Sequence, residues 1–431
     1  MTEQGLPAPF PRHVLNLAPS SRLGYFKTYT VAHPALKQAD QAVWNALREP
    51  AGAALVFVVG PTGVGKTTLL AQIEKRLIDL ALAQGDRGRS HIPTLRLDAV
   101  SPAITQFKWG DYYQRALLLL QEPRVEYAID DWGHLPVLTK QVQSLEQRPW
   151  KGNPNTAGLR LVFEQALIQR KPYAILIDEA EHMAKAARGS KLLDQLDHLK
   201  SLAIMTRVVY VMYNLERRGR LVNNWHYVYS ELVSDVLFQR SRARLYIIHV
   251  LVGTYDLMVF RNLSAQLSRR SIDVHFSRYR GTNEADVRAF KSVLWSFQRN
   301  LPVEEEPDLL HSWKYCYERT IGCVGVLKDW LTRALAEAIE QGEKTISPAL
   351  LDQHALSVDR CGQMVTEAVA GETALTEDDN AAYRLRVRLG LEVGPAEQQE
   401  QDQRHLPSSH RGSRVGQRRP ARDPVKKESA S

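Results

Sequence analysis

The chain reads as an α/β protein built on a mainly parallel sheet, and three observations carry that reading. Five short apolar runs, ALVFVVG (54–60), PTLRLDA (93–99), YAILIDE (173–179), IIHVLVG (247–253) and IDVHF (272–276), have the continuous character of strands buried on both faces. Helical patterns fill the intervals between them, the alternation expected of a sheet covered by helices. The first run breaks into glycines and then directly into a helical pattern, VFVVGPTGVGKTTLLAQIEKRL (56–77), so strand, turn and helix follow one another within a few positions. With 431 residues, 44% of them hydrophobic, the chain can bury a sizeable core and divide into two or three domains.

Residues 1–20 are Pro-rich and aperiodic and are expected to be disordered. A core then extends over 21–281. It opens with HPALKQADQAVWNALREP, where Leu36, Ala39, Ala42, Val43, Trp44 and Leu47 recur at helical spacing between Pro34 and Pro50. Residues 282–365 carry the helical patterns EADVRAFKSVLWSFQRNL and VGVLKDWLTRALAEAIEQ, and a further helical segment covers 366–394. The last stretch, 395–431, has almost no large apolar groups and is expected to be a disordered basic tail.

The net charge is +8, but Arg404–Ser431 contributes a surplus of six, leaving about +2 for the other 403 residues. Total charge is therefore no argument for nucleic acid, although a one-sided patch would suffice. No uncharged apolar stretch approaches the roughly 18 residues that span a bilayer, and the N-terminus lacks a basic flank with an apolar signal core. A cytoplasmic protein with no membrane association is expected. Cys316, Cys323 and Cys361 form no CxxC pair and read as buried small hydrophobes or idle thiols.

Gly60-Pro61-Thr62-Gly63-Val64-Gly65-Lys66-Thr67, followed by Thr68, fits G-x4-G-K-[ST] in the strand–helix context the motif needs. Glycines let successive N–H groups curl around a β-phosphate, and the helix N-terminus adds its positive end. Lys66 would reach the β/γ oxygens and the Thr67 hydroxyl would ligate Mg²⁺, so ATP with Mg²⁺ is the expected cofactor pair. Asp178 and Glu179 end the third apolar run, where α/β ligands bind. Asp178 would hold Mg²⁺ through water, and Glu179 would polarise the attacking water. Two acids rather than one favour hydrolysis.

Thr254 follows the fourth run, beside the expected γ-phosphate, and would orient the water or simply cap the next helix. Arg269 and Arg270 precede the fifth run. Either could be a finger presented to a neighbouring subunit, since a planar guanidinium suits the spread charge of a transferring phosphoryl, or both could be solvated charges at a helix end.

The order GPTGVGKTT, ILIDEAEHM, LLDQLDHLKSLA, VLVGTYDLMVFRNLSAQLSRRS and GCVGVLKDWLTRALAEAI resembles the TniB/TnsC-type AAA+ ATPases, target selectors in DNA transposition. RLGYFKTYTVAHPAL is similar to that family's lead-in segment, and the resemblance covers about residues 20–365. It implies an AAA+ P-loop NTPase core followed by a small helical lid. It further implies a homo-oligomer, ring or filament, that assembles on double-stranded DNA with ATP, recruits and activates a transposase, and disassembles on hydrolysis. A target-site-selecting protein is a further candidate partner.

Related assemblies meet duplex DNA through loops after the second strand. Here that loop is SPAITQFKWGDYYQRAL, offering Thr105 and Lys108, with Trp109 beside them; Lys108 could equally face solvent as an ordinary loop lysine. Single phosphate contacts of this kind are weak but sum over a filament. Two departures stand out. Residues 204–246, with seven Arg, three acids and interleaved aromatics, are inserted before the fourth run, as a DNA-contacting element or a surface hairpin. The lid also lacks the arginine that AAA+ lids often offer the phosphates, leaving Lys328 as the candidate substitute. A replication-type helper or origin-binding ATPase, and a nucleotide-gated signalling switch, are the alternative readings.

Overall fold

The computed structural model describes residues 9–84, 91–100, 107–121, 156–185, 247–262, 268–376 and 379–392. The five apolar runs form five strands: β1 (Leu55–Val59), β2 (Thr94–Asp98), β3 (Ala174–Asp178), β4 (Ile248–Gly253) and β5 (Ser271–His275). They pair in one sheet of order β2-β3-β4-β1-β5, every pairing parallel. The chain leaves the inner strand β1 for the far edge, returns inward through β3 and β4, and then crosses to β5 on the other side of β1. That reversal beside β1 opens a crevice at the carboxyl ends of the strands, where ligands of open α/β sheets bind.

The helices of the first half are α1 (Pro19–Thr28), α2 (Pro34–Arg48), α3 (Lys66–Ala83), α4 (Trp109–Gln121), α5 (Thr156–Arg170) and the single turn α6 (His182–Lys185). After β4 come α7 (Met258–Asn262), α8 (Glu284–Asn300), α9 (Trp313–Thr320), α10 (Val324–Gln341), α11 (Pro348–His354), α12 (Val358–Leu375) and α13 (Asp379–Arg388).

Strands β1, β3 and β4 are buried along their whole length, as their mainly apolar sequences require, with Asp178 and His249 buried among them. Helices α2 and α3 cover one face: Leu36, Val43, Leu47, Leu69, Ile73 and Leu77 pack with Val56, Val58, Leu176 and Val250. Proline at the first helical position sets the start of α2, and the His33 imidazole caps it by accepting the Leu36 N–H at 3.4 Å.

A second cluster is mainly helical. Phe290, Phe297, Trp330, Leu331 and Leu350 form its interior, and Trp330 donates its indole N–H to the Leu351 carbonyl at 2.8 Å. Phe26 of α1 is fully buried in this cluster, 5.9 Å from the Phe297 ring centroid. Arg22 adds a hydrogen bond to the Pro302 carbonyl (2.7 Å) and Tyr25 one to the Asn300 side chain (3.1 Å). The expected start of the core at residue 21 is thereby corrected, because α1 packs with the lid helices.

Disorder through residue 20 is corrected as well for residues 9–20. Phe10 and Val14 are buried, Arg12–Asn16 forms a 3-10 turn, and the Phe10 N–H bonds the Arg299 carbonyl at 3.1 Å. The expected lid end at 365 falls inside α12, which runs on to Leu375. The 204–246 insertion and the 395–431 tail lie outside the described residues. Compact units divide at residue 373, and the described part of the second contains α13 with an Arg386–Glu392 ion pair of 2.7 Å.

The three cysteines are free and buried, as the sequence suggested. Among the described residues, no helix is long and apolar enough to cross a membrane.

His33 gives this architecture a pH dependence. Its Nδ1 also faces the Tyr279 hydroxyl at 2.9 Å, and burial pushes its pKa down to about 4. A folded-state pKa below the unfolded value near 6.5 means the fold holds the ring neutral, so stability is lost as pH falls from about 6.5 toward 4. His33→Asn keeps a good N-cap without the titration. Denaturant unfolding of the two proteins should show the wild type losing about 2 kcal/mol more than the variant between pH 7 and pH 5.

Candidate nucleotide-binding site

The loop between β1 and α3 has almost no spare room, and glycine is what allows it. A Cβ on Gly60 would lie 2.2 Å from the Phe276 carbonyl oxygen at the exit of β5. Gly63 adopts φ +77° and Gly65 φ +113°, and a Cβ on Gly63 would lie 2.4 Å from the Val326 side chain. On the opposite side, a Cβ on Gly325 would lie 2.5 Å from the Gly63 carbonyl, which accepts the Val326 N–H at 3.1 Å. The first turn of α10 thus rests on the loop backbone to backbone. Pro61 and Val64 are buried, Thr62 and Thr67 are exposed, and Thr68 is half-buried.

Lys66, at the first position of α3, donates to the Gly60 and Pro61 carbonyls at 3.0 and 2.9 Å. Burial pushes its pKa down, and the nearby acids oppose this, Glu181 most strongly, then Asp178 and, after Cys323, Glu179. Asp178 ends β3 and is itself buried. Burial raises its pKa against hydrogen bonds from the Thr67 hydroxyl and the Glu179 N–H and the charge of Arg96. The Glu179 N–H lies 3.0 Å from Asp178 Oδ1, and Arg96 Nη2 is 3.8 Å from Oδ2.

Glu179 has a left-handed backbone (φ +52°) and an exposed side chain 3.7 Å from the His182 ring. A non-glycine residue in that region is strained, a condition that concentrates at functional turns. Thr254 follows β4 directly; its hydroxyl is buried, caps no helix and has no hydrogen-bond partner among the described residues.

The structure therefore brings together Gly60–Thr68, Asp178, Glu179 and Thr254 at the carboxyl ends of β1, β3 and β4. Arg269 and Arg270 are exposed just before β5, with the Arg270 carbonyl accepting the Ala54 N–H at 2.9 Å, so neither belongs to that cluster through a contact of its own chain. Lys328 makes its contacts elsewhere: its ammonium donates to the Lys27 and Tyr29 carbonyls at 2.8 and 2.7 Å, which tie α10 to the end of α1. Lys108 is exposed ahead of α4, and Thr105 lies outside the described residues.

Sequence reasoning passed over Arg96 and Glu181. Arg96 sits in an ordinary strand pattern and is unreadable before β2 and β3 pair. Glu181 carried a visible signal as a third acid directly after Asp178 and Glu179.

The residues fit a magnesium nucleotide. The loop offers backbone N–H groups at a helix start, the lysine is satisfied only by replaceable carbonyls, and a hydroxyl–carboxylate pair stands beside it. Residues 48–220 match the family model described as an AAA domain.

The fold is an AAA+ P-loop fold.

Solved structures to which the chain is similar include the Aeropyrum pernix ORC2 protein in its ADP form, at 15% identity, over 77% of this chain and 71% of that one, with a TM-score of 0.43. The Thermotoga maritima RuvB Holliday junction branch migration motor is similar at 14% identity, over 74% and 67%, with a TM-score of 0.31. Drosophila ORC bound to DNA is similar at 11% identity, over 93% and 85%, with a TM-score of 0.36. No curated protein matched the sequence.

Two glycines separate the clash from the backbone term. Gly52 and Gly63 both have positive φ, but a Cβ on Gly52 would meet nothing within 4 Å. Gly52→Ala should cost about 1–2 kcal/mol, the left-handed penalty alone. Gly63→Ala should cost clearly more in the same denaturant titration, because Val326 must also move.

Proposed function

We propose that the protein is a Mg·ATP-hydrolysing AAA+ ATPase that assembles on double-stranded DNA and regulates transposition by recruiting and activating a transposase. The observation that carries the ATPase reading is the convergence of a glycine-clamped phosphate loop with the Thr67–Asp178 pair and Glu179 at the carboxyl ends of β1 and β3, the two strands on either side of β4. The transposition reading is supported by the ordered sequence blocks from GPTGVGKTT to GCVGVLKDWL that resemble TniB/TnsC-type proteins.

Mg·ATP supplies the phosphoanhydride and the divalent charge. Loop N–H groups from Gly60 to Thr68 hold the phosphates, and Lys66 exchanges its two carbonyls for phosphate oxygens. Thr67 and Asp178 would hold the metal, which would supply charge to the phosphate oxygens. Glu179 accepts the proton of the attacking water, and Thr254 orients that water. Arg269 or Arg270, exposed at the edge of the sheet, completes the site of a neighbouring subunit by stabilising transition-state charge. Lys108, and Thr105 with it, contact DNA phosphates, each weakly and in sum strongly along a filament.

Imaging of the purified full-length chain with duplex DNA tests the whole reading. Filaments or rings should form with ATP or a nonhydrolysable analogue and be lost with ADP; monomers in every nucleotide state would contradict it.

Variants divide the roles. Lys66→Ala should abolish nucleotide binding in a calorimetric titration. Glu179→Gln should still bind ATP but lose turnover at least 100-fold, at the low end of what general acid–base groups contribute, and leave assemblies trapped on DNA. Arg269 and Arg270 replaced together should lose turnover while retaining nucleotide binding.

A further inference from the structure

The third acid of the IDEAEHM segment is the most buried of the three. Glu181 is only 3% exposed, its Oε2 is shielded from solvent, and that oxygen has no hydrogen-bond partner among the described residues. A buried carboxylate in that condition is costly unless a partner is supplied, and such groups mark functional sites more often than chance.

Its location is specific. A Cβ on Gly253, the last residue of β4, would lie 2.2 Å from Oε2, so the carboxylate is seated on the strand tip where only glycine leaves space. The Ala180 N–H bonds the Val252 carbonyl at 2.9 Å and pins this turn to β4. The residue after Gly253 is Thr254, whose hydroxyl is likewise buried and without a partner among the described residues. Two orphaned polar atoms, one acceptor and one donor, thus flank a single glycine beside the phosphate loop. Of the acids around Lys66, Glu181 also exerts the largest charge effect on its ammonium.

We propose that Glu181 is a positioning residue: when nucleotide binds, its carboxylate, seated on Gly253, accepts the single proton of the Thr254 hydroxyl and turns the Thr254 lone pairs toward the phosphate end of the site. A threonine hydroxyl has one proton to donate and two lone pairs. Fixing the proton on Glu181 leaves Thr254 an acceptor for the attacking water, and no proton is transferred. The proposal rests on the ATPase reading above and adds a residue to it.

The test is steady-state ATP hydrolysis by the full-length chain with Mg²⁺ and duplex DNA. Glu181→Leu removes the acceptor at similar volume. It should lower kcat at least 10-fold and leave KM within about 2-fold. Glu181→Gln retains an acceptor oxygen and should recover most of kcat. Glu181→Leu combined with Thr254→Val should be no slower than Thr254→Val alone, since both break one interaction.

If Glu181→Leu does not fold, Gly253→Ala, which displaces the carboxylate, should reproduce the kcat loss. Unchanged kcat in Glu181→Leu or Gly253→Ala, or losses that multiply in the double variant, would overturn the proposal. Absence of Mg·ATP hydrolysis in the wild type would instead overturn the ATPase reading beneath it.

Discussion

The structure depends on backbone meeting backbone at the phosphate loop. Gly60 lies against the Phe276 carbonyl on the sheet side, and Gly63 meets Gly325 and Val326 on the lid side. No side chain larger than hydrogen fits at these three positions without movement. One loop of eight residues therefore joins the sheet to the helical cluster, and anything that draws its N–H groups inward acts on both. The Val326–Gly63 hydrogen bond is the shortest physical route by which a bound phosphate could alter the lid.

The helical cluster extends that route to the start of the chain. Lys328, one turn into α10, holds the last carbonyls of α1, and Phe26 is buried among the lid side chains. His33 then returns the chain to the sheet side through Tyr279 and a stacked contact with Phe276, the residue whose carbonyl abuts Gly60. Loop, lid, N-terminal helix and the exit of β5 so form a closed circuit of contacts. Assembly, DNA binding and transposase recruitment, as proposed, would be driven from that circuit.

Much of this was legible in the sequence, for reasons that differ by element. The inner strands could be read because burial on both faces leaves their centres apolar, as in LVFVV and the AILI of β3, whereas β2 and β5 carry Arg96 and Asp273 and are only partly buried. The loop could be read because Gly63, Gly65, Lys66 and Thr67 each answer a separate chemical demand at fixed spacing. Helix α1 and its packing on the lid were not legible because PSSRLGYFKT has little amphipathic pattern and its one buried residue, Phe26, finds its neighbours some 270 residues away. The contacts of Lys328 were not legible for the same reason: its partners are carbonyls, which no side-chain pattern announces. Glu181 was visible as an acid, but its seat exists only once β4 delivers Gly253 beside it.

The central claim, that nucleotide engages loop and lid as one unit, is tested most directly by hydrogen exchange of the full-length chain with and without Mg·ATP. The account predicts that amides of residues 60–68 and 322–328 gain protection together, at the same nucleotide concentration. Protection confined to the loop, or none in either segment, would contradict it.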